Sequence, residues 1–348
     1  MKQKNVLIFG AGSIGNHLSH ACRRCKYNVH VYDPDKEALK RMQYSIYPQR
    51  YKKWDQNIQL FSTYKFLLNF YNLIIIGSPP NTKLKVLELI IIKKISFEKI
   101  LFEKPFLPPI KKLNKNIQNF LKKNYSKIFI GYNHNIALST LKFLQIIKKE
   151  KIISIEVNVL EDVSFILNAH SWLKNISQSY LGYINKGGGA TFEHSHGYAM
   201  LLNILEELDL GKIKYVNTFL KKDKNKNFDI SSINNFKTSK GILCTVNQNF
   251  ISRPSEKFTK VITTNGTYIL KFSYKNNNDK IINNYGKEIV FKKSRADDFL
   301  SEIKYINKFS NSTKSKLSLK LAKYTHNLLI CCLESNSKNS TVIFKNYV

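Results

Sequence analysis

One short stretch constrains this chain more than any other. Gly10-Ala11-Gly12-Ser13-Ile14-Gly15 stands directly after an apolar run, Asn5 to Phe9 (NVLIF), and directly before a helical pattern through Leu18, Ala21 and Cys22. The apolar run has the length and β-branching of a buried strand. Glycines at this spacing let the chain turn tightly into a helix and let a ligand approach the backbone closely. A second strand pattern, Asn28 to Tyr32 (NVHVY), follows and ends on Asp33. A glycine loop alone is a weak signal, but strand, loop, helix, strand and acid in register are specific.

That order predicts the opening of a doubly wound parallel sheet of Rossmann type that holds a dinucleotide. The pyrophosphate would lie on the helix start, and the Asp33 carboxylate would accept the adenine-ribose hydroxyls. Gly10, Gly12, Ser13, Ile14, Gly15 and Asp33 are therefore the cofactor candidates. A carboxylate at this point repels a 2′-phosphate, and no arginine follows it immediately, so the expected cofactor is NAD in preference to NADP. The alternative for Asp33 is a helix or turn cap before Pro34.

The pattern continues with a strand over Asn72 to Ile76, a helix from Lys83 to Ile95 and a strand over Lys99 to Phe102. Ligands of such sheets bind beyond the carboxyl ends of the strands. Gly77-Ser78-Pro79-Pro80-Asn81 and Glu103-Lys104-Pro105 sit at those ends, which assigns Ser78, Pro79, Glu103 and Lys104 to the nicotinamide side. At 348 residues the chain exceeds one average core. The expected division is a nucleotide-binding domain over 1–122 and a second, α+β domain over 123–348. In the second domain Lys151 to Asp162 alternates apolar and polar residues, and strand patterns recur at Lys214 to Leu220, Gly241 to Phe250, Phe258 to Thr263 and Thr267 to Tyr274. Asn265-Gly266 marks a tight turn between the last two. These predict an open, mostly antiparallel sheet covered by helices such as Tyr198 to Leu205 on one face, with the other face free for subunit contact. Lys222 to Asn227 (KDKNKN) and Asn276 to Lys280 (NNNDK) read as polar loops.

The net charge is +32, yet only six of the 56 basic residues are arginine, and the lysines are spread along the whole chain. Specific nucleic-acid reading favours the forked guanidinium, so none is expected. The five cysteines, at 22, 25, 244, 331 and 332, lack the spacing of a disulfide framework or a zinc site. Cys22-Arg23-Arg24-Cys25 lies near a helix end, where thiolates are not activated. No metal site, leader or membrane span is expected, and the location implied is cytoplasmic.

A glycine-loop start, then a strand ending in S-P-P, then one ending in E-K-P, resembles the glucose-fructose oxidoreductase and inositol dehydrogenase family, Gfo/Idh/MocA. Gly131-Tyr132-Asn133 after the strand Lys127 to Ile130 is similar to that family's sixth-strand turn. Gly187-Gly188-Gly189-Ala190-Thr191-Phe192-Glu193-His194-Ser195-His196 is similar to its G-G-G-x-x-x-[DE]-x-S-H segment. His170, Trp172 and Tyr180 ahead of the glycines look like members acting on sugars or nucleotide sugars in surface-polysaccharide pathways. Ser335 near a helix end and a final strand over Thr341 to Phe344 also fit. The resemblance implies Lys104 and His196 as the acid/base pair, Glu193 as its orienting carboxylate, and Lys104, Tyr132, Asn133, His170, Trp172 and His196 around the substrate. It further implies a homodimer or homotetramer built through the second sheet.

Oxidation of a sugar alcohol needs a group that takes the hydroxyl proton while hydride leaves the same carbon. A lysine at a strand end and a histidine at a helix start are suited to that exchange, although His196 could also be a structural cap, and His194 competes with it. Three departures stand out. Gly197, Tyr198 and Ala199 replace the family's E-x-D, Asn135 stands where many relatives carry arginine, and Lys83 where many carry histidine. The reading is an NAD-dependent sugar or nucleotide-sugar oxidoreductase, and the alternative is an inactive NAD(H)-binding sensor or scaffold of the same fold.

Overall fold

The computed structural model describes residues 3–170, 172–225, 227–272 and 278–348. The chain divides into two compact units, one of Met1–Phe106, Leu113–Asn133 and Arg295–Leu319, the other of Leu107–Lys112, His134–Ser294 and Lys320–Val348. The expected partition has a single passage at 122/123, whereas the chain returns to the first unit with a late helix, Arg295–Lys308.

The first unit is built on six parallel strands, β1 (Lys4–Phe9), β2 (Tyr27–Tyr32), β3 (Ile58–Phe61), β4 (Phe70–Ile76), β5 (Ser96–Phe102) and β6 (Ile128–Ile130), in the order β3-β2-β1-β4-β5-β6. Val6, Leu7, Ile8, Leu73, Ile74, Ile75, Ile100 and Leu101 are at most 1% exposed, the continuous apolar strand type that a sheet covered on both faces requires. The strand order reverses between β1 and β4, the place where ligands of such sheets bind.

The strands also finish in register. Tyr32 pairs with Phe9, Phe9 with Ile76, Ile76 with Phe102, and Phe102 with Ile130. The residues that follow, Asp33, Gly10, Gly77, Glu103 and Gly131, therefore form one row across the carboxyl edge.

The second unit carries a nine-stranded sheet. Its strands are β7 (Ile152–Asp162), β8 (Ile213–Lys222), β9 (Asp229–Thr238), β10 (Leu243–Asn249), β11 (Ile251–Thr263), β12 (Gly266–Phe272), β13 (Asn278–Ile282), β14 (Glu288–Lys292) and β15 (Val342–Ile343). The order is β14-β13-β12-β11-β7-β10-β9-β8-β15, and every pair is antiparallel except β7 with β10. Helices His196–Glu207 and Leu319–Lys338 supply Tyr198, Leu201, Leu202, Leu205, Leu328 and Cys332 to one core with Val157, Val216, Val246 and Val261 of the sheet. Pro254 sits inside β11, where the pairing with β7 shifts register between Ile251 and Glu256, a bulge that removes the need for its missing N–H.

One expectation is corrected here. Asn278, Asp279 and Lys280 form strand rather than loop, while Asn276 and Asn277 lie outside the described residues. Asp279 is 1% exposed, with Lys293 paired to one carboxylate oxygen (3.1 Å) and the Ser139 hydroxyl donating to the other (2.6 Å), and Ile281 beside it joins the core. Charged residues are rarely buried unless paired, so their pattern alone reads as solvated loop.

Candidate active site

The glycine loop of the first unit has the geometry that its sequence requires. Gly10 adopts φ +107°, and a Cβ on Gly15 would lie 2.0 Å from the Gly10 carbonyl oxygen, so neither position accepts a side chain without movement of the loop. Gly12 differs. A Cβ built there meets no protein atom within 4 Å, so its face is open. The helix Ser13–Arg24 that follows has no side-chain cap and no acid in its first turn, which leaves its first N–H groups available to an anion. Arg50, which the sequence reading missed, donates to the Ser13 carbonyl and hydroxyl, both at 2.8 Å, and adds positive charge at that helix start.

Asp33 both caps and offers. One carboxylate oxygen accepts from the Ala11 N–H (2.9 Å) and the other from the Asp35 N–H (3.0 Å), so it ties the second strand's turn to the glycine loop. Burial pushes its acid up, while those N–H donors pull it back. An ionised carboxylate accepts about four hydrogen bonds, which leaves room for ribose hydroxyls. Farther along the row, the Pro79 carbonyl accepts from the Thr82 N–H and hydroxyl, and the Thr82 hydroxyl oxygen lies 2.9 Å from that of Ser78. At the next strand end, every residue of Leu101–Phe106 is buried except Lys104, which is partly exposed. Glu103 turns the other way. Its carboxyl lies in the interior, where a Cβ on Gly131 would come within 2.7 Å of it. Tyr132 and Asn133, beyond the sixth strand, are 1% and 8% exposed.

In the second unit Gly187 and Gly189 take positive φ, and a Cβ on Gly188 would strike the Tyr180 carbonyl oxygen at 2.1 Å. The triple glycine is thus a tight fold onto Tyr180, not a flexible run. Asp229, absent from the sequence reading, secures the next turn. One of its oxygens accepts from the Thr191 N–H and hydroxyl, both at 2.8 Å, and complete burial raises its acid to about 6. Glu193, on the helix Gly189–Glu193, accepts from the Tyr180 hydroxyl at 2.9 Å.

His196 opens the helix His196–Glu207 and stacks on His134, with ring centroids 4.3 Å apart and planes at 22°; His134 in turn stacks on Phe272. The two imidazoles line a small hollow with Lys257, Thr259, Phe272 and Met200. His194 is turned elsewhere. It is 4% exposed, lies 3.4 Å from the Glu161 carboxylate and 3.2 Å from the Asn249 carbonyl, and packs edge-on against Phe250. His170 bonds the Ile166 carbonyl (2.7 Å) and meets Trp172 edge-to-face after the short helix Val163–Asn168.

The departures have structural counterparts. A Cβ on Gly197 would come within 3.1 to 3.3 Å of Gln248, Val159 and Val246, so a glutamate at 197 would crowd the sheet. Asn135 and Ala199, which replace the family's arginine and aspartate, meet each other: both are fully buried, and the Asn135 amide approaches the Ala199 carbonyl at 3.5 Å. Lys83 is fully buried and donates to the carbonyls of Glu103 and Pro105. The described residues contain no group of three His, Cys, Asp or Glu able to hold a metal.

No known family model matches the chain, and no curated protein matches it in sequence. Solved structures do match. A myo-inositol dehydrogenase from Corynebacterium glutamicum superposes with a TM-score of 0.71 at 15% identity, covering 99% of each chain. The WlbA dehydrogenase from Bordetella pertussis, in complex with NADH and UDP-GlcNAcA, gives 0.71 at 13% identity over 99% of each chain. A levoglucosan dehydrogenase in complex with NADH gives 0.72 at 12% identity over 99% of this chain and all of the other. At such identities the likeness speaks for the architecture, and the chain has the two-part fold of the glucose-fructose oxidoreductase and inositol dehydrogenase family.

Proposed function

We propose that the protein is an NAD-dependent oxidoreductase that moves hydride between a CH–OH carbon of a sugar or nucleotide sugar and nicotinamide. The observation that carries this reading is the row along the parallel sheet's carboxyl edge, which runs from Asp33 past the glycine loop, open at Gly12, to Glu103 and the partly exposed Lys104 that follows it. With strands about 4.8 Å apart, Asp33 and Lys104 stand about 14 Å apart along the row, a span suited to an extended dinucleotide.

The residues fit that cofactor. Gly10, Gly12, Ser13, Ile14 and Gly15 would hold its pyrophosphate on the uncapped helix start, Asp33 its adenosine ribose, and Ser78 and Pro79 its nicotinamide side. Bound NAD supplies the hydride acceptor. Lys104 is assigned to orienting the reacting hydroxyl, His196 to accepting its proton, and Glu193 to a supporting role in which it accepts from the Tyr180 hydroxyl. Tyr132, Asn133, His170 and Trp172 are assigned to the sugar.

The sensor alternative drew on the missing carboxylate at 199. Ala199 is fully buried against Asn135, which favours a packing role for that position over a chemical one. Incubation with NAD and a panel including myo-inositol, levoglucosan and UDP-GlcNAcA tests the proposal. NADH formation that disappears in Lys104→Ala supports it, whereas NADH binding without turnover on any alcohol favours the sensor.

We also assign the open face of the nine-stranded sheet to self-association. Phe219 pairs with Ile233 and Tyr215 with Ile343 across it, at exposures of 55, 50, 38 and 62%. Light scattering of Phe219→Lys, expected to yield monomer from a wild-type dimer or tetramer, tests this. No helix among the described residues is long and apolar enough to cross a membrane; a cytoplasmic place in polysaccharide or sugar metabolism completes the proposal.

A further inference from the structure

Lys83 opens the helix Lys83–Ile92, a poor position for a cation, and its side chain is fully buried. Burying an ammonium is costly unless charges and hydrogen bonds offset it. A methionine of similar length would be cheaper to bury, so the lysine needs a reason. Its ammonium donates to two carbonyl oxygens, those of Glu103 and Pro105. These are the residues on either side of Lys104, the one residue of Leu101–Phe106 that is not buried.

Two buried carboxyls belong to the same unit. Glu103 is 7% exposed and Glu302, on the helix Arg295–Lys308, is fully buried. Burial raises both acids, and the Glu103 charge raises Glu302 further, while Lys83, Lys104 and Arg295 pull Glu103 back down. Lys83 and Glu103 thus act on each other electrostatically within the same buried turn.

We propose that Lys83 is a positioning residue whose ammonium, seated on the carbonyls of Glu103 and Pro105, fixes the turn from which the partly exposed Lys104 projects. Two anchored carbonyls flanking one residue set the direction of that residue's side chain, which a single contact would leave free to rotate. The catalytic consequence rests on the reading of Lys104 as the group beside the reacting hydroxyl, whereas the positioning itself does not.

The test compares wild type with Lys83→Met by hydrogen exchange, NADH titration and steady-state kinetics. Amide exchange in the peptide spanning Phe102 to Leu107 should rise about tenfold while exchange in Lys4–Phe9 stays unchanged. NADH affinity should stay within about threefold, and kcat on an accepted alcohol should fall about a hundredfold with little change in KM, as expected for a misplaced group. A merely structural lysine predicts otherwise: NADH affinity, exchange in all strands and kcat worsen together, and that result overturns the proposal. Unchanged exchange in the Phe102 to Leu107 peptide, or unchanged kcat, also overturns it. If wild type oxidises none of the alcohols, the dehydrogenase reading fails and the exchange result alone decides the role of Lys83. Should Lys83→Met fail to fold, Lys83→Gln, which keeps an N–H donor without the charge, is judged by the same measurements.

Discussion

Asp229 makes a quantitative claim about pH. Its carboxyl is completely buried and its acid stands near 6 instead of 3.8, because desolvation outweighs the Thr191 donors. In the native state it therefore holds a proton between pH 4 and 6 that the unfolded chain has already released. Stability falls with rising pH wherever the folded state binds more protons, so this group favours folding below the unfolded value and loses that contribution as pH climbs through 6. The difference of about 2 units amounts to about 3 kcal/mol by pH 7.5, of which about 1.6 kcal/mol has already been lost at pH 5. The side chain introduced by Asp229→Asn cannot ionise, and its amide oxygen can still accept from the Thr191 N–H and hydroxyl. The variant's stability relative to wild type should therefore be about 1.4 kcal/mol better at pH 7.5 than at pH 5, whatever constant offset the amide itself introduces. Urea titration followed by tryptophan fluorescence reads this directly. Trp54 and Trp172 are the two tryptophans of the chain, and a Trp54→Phe background leaves Trp172, in the second unit, as the reporter. Equal offsets at the two pH values, or an advantage for the variant that grows toward pH 5, would refute the reasoning.

Other outcomes follow from the same geometry. Gly12→Ala should melt like wild type yet lose NADH affinity by about tenfold or more in calorimetry, because its methyl group enters only open space. Gly15→Ala should lower both, with about 1 to 3 kcal/mol of stability lost to the 2.0 Å contact with Gly10; equal effects of the two variants on melting would contradict the distinction. Asp33→Asn should weaken NADH by about tenfold through loss of a charged acceptor, and narrow the preference over NADPH. His196→Asn should leave NADH titrations unchanged while reducing kcat by about a hundredfold or more; a parallel loss of cofactor affinity would move His196 out of the chemistry.

Much of the architecture could be read from consecutive residues. The run NVLIF, the glycine loop and NVHVY each fall where the strand, turn and strand occur, and the alternation of Ile153 to Val159 lies within β7. The edge strand Ile58–Phe61 went unseen because four residues with two half-buried faces carry little periodicity. Asn278 to Lys280 carry the pattern of a loop because the burial of Asp279 among them depends on partners at 139 and 293.

What the sequence by itself determined was therefore local: a nucleotide-type loop, an acid in register with it, and the E-K-P and triple-glycine segments. Such features are legible because a turn, a strand face or a helix start imposes its demands within a few neighbouring residues. Only the tertiary structure decided which distant groups meet. It set Lys83 on carbonyls 20 and 22 positions away, Asp229 on Thr191 across 38, His134 on His196, and Asn135 against Ala199. The physical reason is that a buried charge or polar group is tolerated only where packing brings it a partner, and no local pattern records where that partner comes from.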